Sequence, residues 1–322
     1  MNTLMKSSTN IISSIKKSFK SFYKTTLLQK IFYILTAFII LNLIATFGIK
    51  NKNKEGFEER TNEFIVKKGT DVYDDFYVNI YDDLVFSKLK DNFEIGHIIN
   101  STKPTKESYI LDIGSGTGHH VKNLSDNGYK AIGIDTSLAM IKKAKKNYPD
   151  MEYQNVDVLA SMSFAPSTFT HITCLYFTLY YIKDKRMFFN NCMNWLKPGG
   201  FLAIHLVDRN KFDPIIPAGS PFGIVSPQDY AKKRITSSVV NFDQFEYKAN
   251  FNLKEKENIA VFNETFKKNN GSVRQNEHNF YMETQKEILG IAKDAGFILD
   301  VKIDMLKCQY ENQFIYILQK PT

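Results

Sequence analysis

Between Tyr109 and Gly118 the chain reads YILDIGSGTG, an apolar run that ends in three glycines at alternating positions, Gly114, Gly116 and Gly118. A run this apolar suits a parallel strand covered on both faces. A glycine-rich turn behind it lets the backbone approach an adenosyl-type ligand where a Cβ would stand in the way. A second signal lies 17 residues past Gly118, where Gly133-Ile134-Asp135 ends another apolar stretch in a carboxylate. An acid in that position can accept hydrogen bonds from both hydroxyls of a ribose. The glycine spacing is G-x-G-x-G rather than the G-x-G-x-x-G of dinucleotide sites, and no P-loop lysine follows, which argues against a triphosphate.

With Ile110-Leu111-Asp112 opening it, the same stretch resembles motif I of the class I S-adenosylmethionine-dependent methyltransferases, of the small-molecule, methyltransferase-11-like type. The resemblance continues for about a hundred residues: Gly133-Ile134-Asp135-Thr136-Ser137 with Met140 behind it, then Asn155-Val156-Asp157, then Trp195-Leu196-Lys197-Pro198-Gly199-Gly200. It implies an α/β fold with a doubly wound, Rossmann-like, seven-stranded, mostly parallel sheet and a C-terminal antiparallel hairpin. It also implies S-adenosyl-L-methionine as the cofactor. Asp135 then takes the ribose, Gly114, Ser115 and Gly116 meet the methionine portion through backbone groups, and Asp112 orients the loop. Gly118 completes the turn. Asp157 fits the adenine amine, Met140 its face, and Tyr176 the wall beside the transferred methyl.

Tyr176 to Tyr181 follows the fourth strand, so Phe177, Tyr180 and Tyr181 are candidates for the acceptor pocket. Tyr81, or its neighbour Tyr77, joins them from a preceding amphipathic helix. Family members often carry histidines where this chain has Tyr180 and Tyr181, which leaves no histidine base at those positions. His119, His205 and His278 read as structural. Tyr230, Arg234, Arg274 and His278 are candidates for recognising the acceptor from an insert. The histidines and cysteines show no metal-ligand spacing, so no metal is expected. The three cysteines Cys174, Cys192 and Cys308 give no disulfide framework.

The net charge is +8, but residues 1–54 hold nine lysines and no acid, and the remainder sets 33 basic against 34 acidic residues. A near-neutral remainder carries no general attraction for phosphate backbones, which argues against a nucleic-acid partner. Residues 1–30 place Ile11, Ile12, Ile15 and Phe19 at helical spacing among lysines, a basic amphipathic segment. Residues 31–49 contain no charged side chain and would span roughly 28 Å as a helix. They predict a transmembrane helix, hence a single-pass membrane protein. Because S-adenosylmethionine is made in the cytosol, its catalytic domain would face that side. Asn100, Asn123, Asn263 and Asn270 stand in Asn-x-Ser/Thr sites whose glycosylation would reverse that orientation.

Residues 50–70 read as a linker and 71–322 as the methyltransferase domain, with a small antiparallel β insert at about 209–283 after strand five. Alternating apolar residues from Phe245 to Leu253, from Ala260 to Phe266 and from Val273 to Met282 define that insert. The expectation is a membrane-anchored methyltransferase acting by in-line displacement on a small-molecule, lipid-like or protein acceptor. A nicotinamide-dependent oxidoreductase and a catalytically silent membrane scaffold are the alternatives.

Overall fold

The computed structural model describes residues 26, 29–31, 35–36, 63–216, 228 and 231–322. The chain divides into two compact units, residues 1–59 and 60–322. In the second unit one seven-stranded sheet carries the order β11-β12-β6-β5-β2-β3-β4. Its members are β2 (Tyr109–Ile113), β3 (Lys130–Asp135), β4 (Glu152–Asn155), β5 (Phe169–Cys174), β6 (Leu196–Val207), β11 (Ile298–Asp304) and β12 (Gln313–Gln319). The first five run parallel, and β12 pairs antiparallel with both β6 and β11. Strand order reverses between β2 and β5, so the crevice at their carboxyl ends is the place where such a sheet receives a ligand.

Short helices connect these strands: α3 (His119–Asp126), α4 (Leu138–Asn147), the single turn α5 (Thr178–Tyr181), α6 (Lys185–Trp195) and α7 (Gln285–Asp294). Each buries one stripe. Val121 and Leu124, then Met140, Ile141 and Ala144, then Phe188, Phe189, Cys192 and Trp195 are removed from solvent. Local chemistry sets where they start. The Ser137 hydroxyl accepts from the Met140 amide at 3.1 Å, the Asp184 carboxylate from Met187 at 2.9 Å, and Thr284 with Glu287 closes a capping box.

Two helices precede β2. In α1 (Asp75–Val85) Asp74 caps the Tyr77 amide; α2 (Lys88–Thr102) buries Lys90, Asp91 and Glu94 beside Ile95 and Ile98. Sequence periodicity left α2 unassigned because half of its inward stripe is charged.

The insert departs most from expectation. It is a five-stranded mixed sheet in the order β1-β10-β9-β8-β7, formed by β1 (Phe64–Lys68), β7 (Ser237–Asn241), β8 (Phe245–Lys254), β9 (Ile259–Lys268) and β10 (Val273–Tyr281). Residues 64–68, expected within a linker, pair parallel with β10 from Phe64↔Val273 to Lys68↔Glu277. Phe64, Ile65 and Val66 suit a strand, but the segment is short and its partner, β10, lies far along the chain, so its pairing was not legible locally. The inner faces of β8, β9 and β10 alternate cleanly, burying Tyr247, Ala249, Phe251, Phe266 and Phe280.

Of the expected membrane span only Ile31, Leu35 and Thr36 are described; the remainder of 31–49, most of 1–30, and Tyr230 lie outside the described residues. Among the described residues no helix is long and apolar enough to cross a membrane. The expectation of a single-pass membrane protein is corrected on that finding.

Candidate functional site

A cavity of about 410 Å³ opens at the crevice between β2 and β5 and runs on beneath the insert sheet. Its floor is the glycine turn, where Gly114, Gly116 and Gly118 have φ of +71°, +53° and +94°. The amides of Gly114 and Ser115 both donate to the Ile134 carbonyl, at 2.8 and 2.9 Å, and the Gly116 amide donates to Asp135 Oδ2 at 3.0 Å. The turn is therefore pinned to β3 before any ligand arrives. Its amides are already engaged, so what it offers a ligand is the open face of Gly116, whereas Gly114 is closed off by Thr178.

Asp135 ends β3 on the cavity wall, and its second oxygen accepts from the Ser137 amide at 2.8 Å. Burial pushes its carboxyl up to about 6, against the pull of those two amides and with a further push from Asp112. Met140 and Asp157 line the same end of the cavity. One Asp157 oxygen accepts from the Leu159 amide at 2.9 Å. Tyr176 closes the middle with a backbone φ of +53°, a conformation rare for a bulky residue, and its carbonyl accepts from His205 at 2.6 Å.

Three sequence-predicted residues sit elsewhere. Asp112 is buried behind the turn, where Thr173 donates to it at 2.7 Å. Gly118 packs on Tyr153, whose hydroxyl donates to its carbonyl at 3.1 Å; a Cβ at Gly118 would lie 2.4 Å from that hydroxyl. Tyr180 is wholly buried and accepts from the Val207 amide at 2.8 Å, so it braces α5 rather than lining the acceptor pocket. Of the insert candidates, Arg274 is paired with Asp74 at 2.9 Å and Arg234 donates to the Phe212 and Arg209 carbonyls. Both are spent on structure.

Phe177, Tyr181, Tyr81 and Tyr77 do reach the cavity, and so does His278, which the sequence reads either as structural or as an acceptor-recognising residue. Tyr73 donates to the Tyr181 hydroxyl at 2.8 Å, and that hydroxyl lies 2.6 Å from His278 Nδ1. His278 Nε2 is 2.7 Å from Glu264, which also accepts from Tyr247 at 2.8 Å, Tyr77 at 3.1 Å and Asn276 at 3.2 Å. Tyr73, Glu264 and Thr178 were missed. Glu264 carried a signal, as a carboxylate in the inward row Ala260, Phe262, Glu264, Phe266 of an otherwise apolar alternation.

A smaller cavity of about 90 Å³ adjoins the other side of the turn, lined by Lys90, Asp91, Glu94, Ser115, His120 and Tyr176 among others. The buried Ser115 hydroxyl has no hydrogen-bond partner there, as expected of a group that awaits a polar ligand. Behind it Lys90 pairs with Glu94 at 2.8 Å and His120 with the same carboxylate at 3.2 Å. Burial opposes the imidazolium, but the Glu94 hydrogen bond and the charges of Asp112, Glu94 and Asp91 lift His120 to about 9. Burial likewise opposes the Glu94 carboxylate, and Lys90 and His120 bring it down to about 2. The His120 contribution to stability is complete below its ordinary value of 6.5 and is lost as pH rises to about 9. The Glu94 contribution is complete above 4.5 and is lost as pH falls towards about 2. The urea midpoint should therefore fall between pH 6.5 and 9, and His120→Gln should flatten that slope; an equal slope in the variant would contradict the assignment.

Residues 110–200 match the family model described as "Methyltransferase domain". The ubiquinone biosynthesis O-methyltransferase of Paracidovorax citrulli is 27% identical over 117 residues, 35% of this chain and 49% of that protein. The chain thus matches about half the length of such curated relatives. Among solved structures, an S-adenosylmethionine-dependent methyltransferase from Clostridium acetobutylicum superposes with a TM-score of 0.59 at 18% identity, covering 77% of this chain and 98% of that one. A S-adenosylmethionine-bound amino pentose methyltransferase from Micromonospora echinaspora, involved in calicheamicin biosynthesis, gives a TM-score of 0.55 at 16% identity over 76% and 96%. Residues 110–200 thus resemble a methyltransferase domain, and these solved structures share the fold around them. The residues around the turn would suit S-adenosylmethionine: a cavity-lining carboxylate at Asp135, an open face at Gly116, and an unpartnered buried hydroxyl at Ser115.

Proposed function

We propose that this chain transfers a methyl group from S-adenosylmethionine to a small, largely apolar acceptor held between the glycine turn and the insert sheet. When bound, the donor supplies a methyl on a sulfonium that carries its own leaving group. The protein's work is then to hold the acceptor in line and exclude water. Asp135 holds the ribose, Met140 and Asp157 flank the adenine, and the Gly114–Gly116 turn with Ser115 receives the methionine end. Tyr81 and Tyr176 stand where the two halves of the cavity meet, and Phe177, Phe212, Phe262 and Phe280 wall the acceptor half.

The observation that carries this reading is one continuous cavity with an adenosyl-type cradle at one end and an aromatic chamber at the other. The quinone-pathway name of the curated relative and the amino-sugar name of the structural one support a small-molecule acceptor. Calorimetry on the full chain tests the donor half: S-adenosylmethionine and S-adenosylhomocysteine should bind while NAD does not. Binding of NAD alone would favour the oxidoreductase. A labelled-methyl screen across phenols, amino sugars, lipids and peptides tests the acceptor, and labelling confined to peptides or lipids would overturn the small-molecule reading.

A further inference from the structure

We infer that Tyr181, His278 and Glu264 form a proton relay for the acceptor, which makes the methylated atom a hydroxyl oxygen, most simply that of a phenol. This rests on the donor assignment above but adds the atom attacked and the residues that activate it. Glu264 and His278 meet across the paired strands β9 and β10, and Tyr181 on α5 joins them only because the insert sheet covers the crevice. Glu264 is fully buried, and a lone carboxylate there would be costly. It is instead met by four donors, His278, Tyr247, Tyr77 and Asn276. Burial pushes its carboxyl up, but the charge and hydrogen bond of His278, with the Tyr247 and Asn276 bonds, hold it below the usual range.

Next to an ionised Glu264 the His278 proton lies on Nε2, and in the neutral imidazole the relay uses, Nδ1 then accepts from the Tyr181 hydroxyl 2.6 Å away. Burial holds Tyr181 and Tyr73 far above the ordinary phenol range, so Tyr181 passes a proton on rather than resting as a phenolate. With Tyr73 donating to one lone pair of Tyr181, a second lone pair remains on an oxygen that lines the cavity. The titratable groups facing His278 are Tyr181, Glu264, Tyr73 and Tyr77, with Phe262 and Phe280 covering its ring.

The step balances. The acceptor oxygen forms a bond to the methyl carbon as the carbon–sulfur bond breaks and its electron pair stays on sulfur. The hydroxyl proton moves to the Tyr181 oxygen, the Tyr181 proton moves to His278 Nδ1, and the imidazolium is balanced by Glu264 until its proton leaves to solvent. A neutral amine would need no such base to attack, whereas a hydroxyl gains nucleophilicity only as it loses its proton. Tyr181 is the catalytic residue, His278 the base behind it, and Glu264 a positioning residue.

The test uses the full chain labelled with ¹⁵N-histidine and needs no acceptor for its first reading. His278 should carry its proton on Nε2, and Tyr181→Phe, which removes one hydroxyl and keeps the ring, should shift the Nδ1 resonance alone. A proton on Nδ1, or no response to Tyr181→Phe, overturns the relay. With catechol as phenolic probe and glucosamine as amine probe, methyl should reach catechol. In Tyr181→Phe and His278→Gln, kcat should fall roughly a hundredfold while calorimetric donor affinity holds, and in Glu264→Gln the acidic limb of the rate profile should move. Transfer to glucosamine alone, or wild-type rates in both variants with donor binding intact, sinks the relay and leaves the donor site standing. Loss of donor binding in the wild type sinks the donor reading instead.

Discussion

Asp135→Ala is expected to remove measurable S-adenosylmethionine binding while the protein stays folded. The carboxylate holds the Gly116 and Ser137 amides with one lone pair on each oxygen, and the remaining lone pairs face the cavity where a ribose would donate. Hydrogen bonds to a charged acceptor contribute about 1.5–3 kcal/mol each, so losing a pair of them weakens binding by roughly a hundredfold or more. The raised carboxyl adds a pH signature. Because burial lifts Asp135 to about 6, the ionised form that accepts both hydroxyls is depleted as pH falls through that value. Donor affinity should hold above pH 6 and decline by up to about tenfold per unit below it. Asp135→Asn should bind weakly at every pH without that slope. An alanine variant that binds as the wild type does, measured by calorimetry, would remove Asp135 from the site.

The placing of Gly114, Gly116 and Asp135 along one cavity wall was legible in the sequence and the polar cluster beneath the insert largely was not, for a physical reason. Gly114, Gly116 and Asp135 stand at ends of adjacent strands, so a local pattern of apolar run, turn and acid fixes their placement. The polar core of the acceptor half is assembled from Tyr73, Tyr181, Glu264 and His278, which are contacts between residues up to about two hundred positions apart. No window of sequence contains that pairing. Tyr180 and Tyr181 show the limit sharply, since adjacent residues on one helical turn point to opposite sides. Tyr180 goes into the core against Val207 and Tyr181 into the cavity. The strand at 64–68 was hidden for the same reason: Phe64, Ile65 and Val66 favour a strand, but its place in the sheet comes from register with the distant β10. The N-terminal expectation of a membrane span over 31–49 is overturned differently, by the finding that among the described residues no helix is long and apolar enough to cross a membrane.

Gly114→Ala should produce the second large effect, and it can be separated from Gly116→Ala by cause. A Cβ on Gly114 would lie 2.4 Å from Thr178 Cγ2, 2.5 Å from its Oγ1 and 3.0 Å from its Cβ. The substitution also forces an L-residue to φ +71°, which costs about 1–2 kcal/mol. Relieving the collision by shifting α5 adds about 1–3 kcal/mol and displaces Thr178 and Tyr181 together. Both stability and donor affinity should fall, as read by urea midpoint and calorimetry. A Cβ on Gly116 meets nothing nearer than Tyr81 at 4.0 Å, so Gly116→Ala bears the backbone strain alone. It should be destabilised by that strain only, about 1–2 kcal/mol, and still lose donor affinity, because its methyl projects into the cavity. Adding Thr178→Ala to Gly114→Ala removes Cγ2 and Oγ1 and should restore most of the collision share while the strain share remains. If the double variant is no more stable than Gly114→Ala, contact with α5 is not what keeps that position glycine, and backbone conformation alone must account for it.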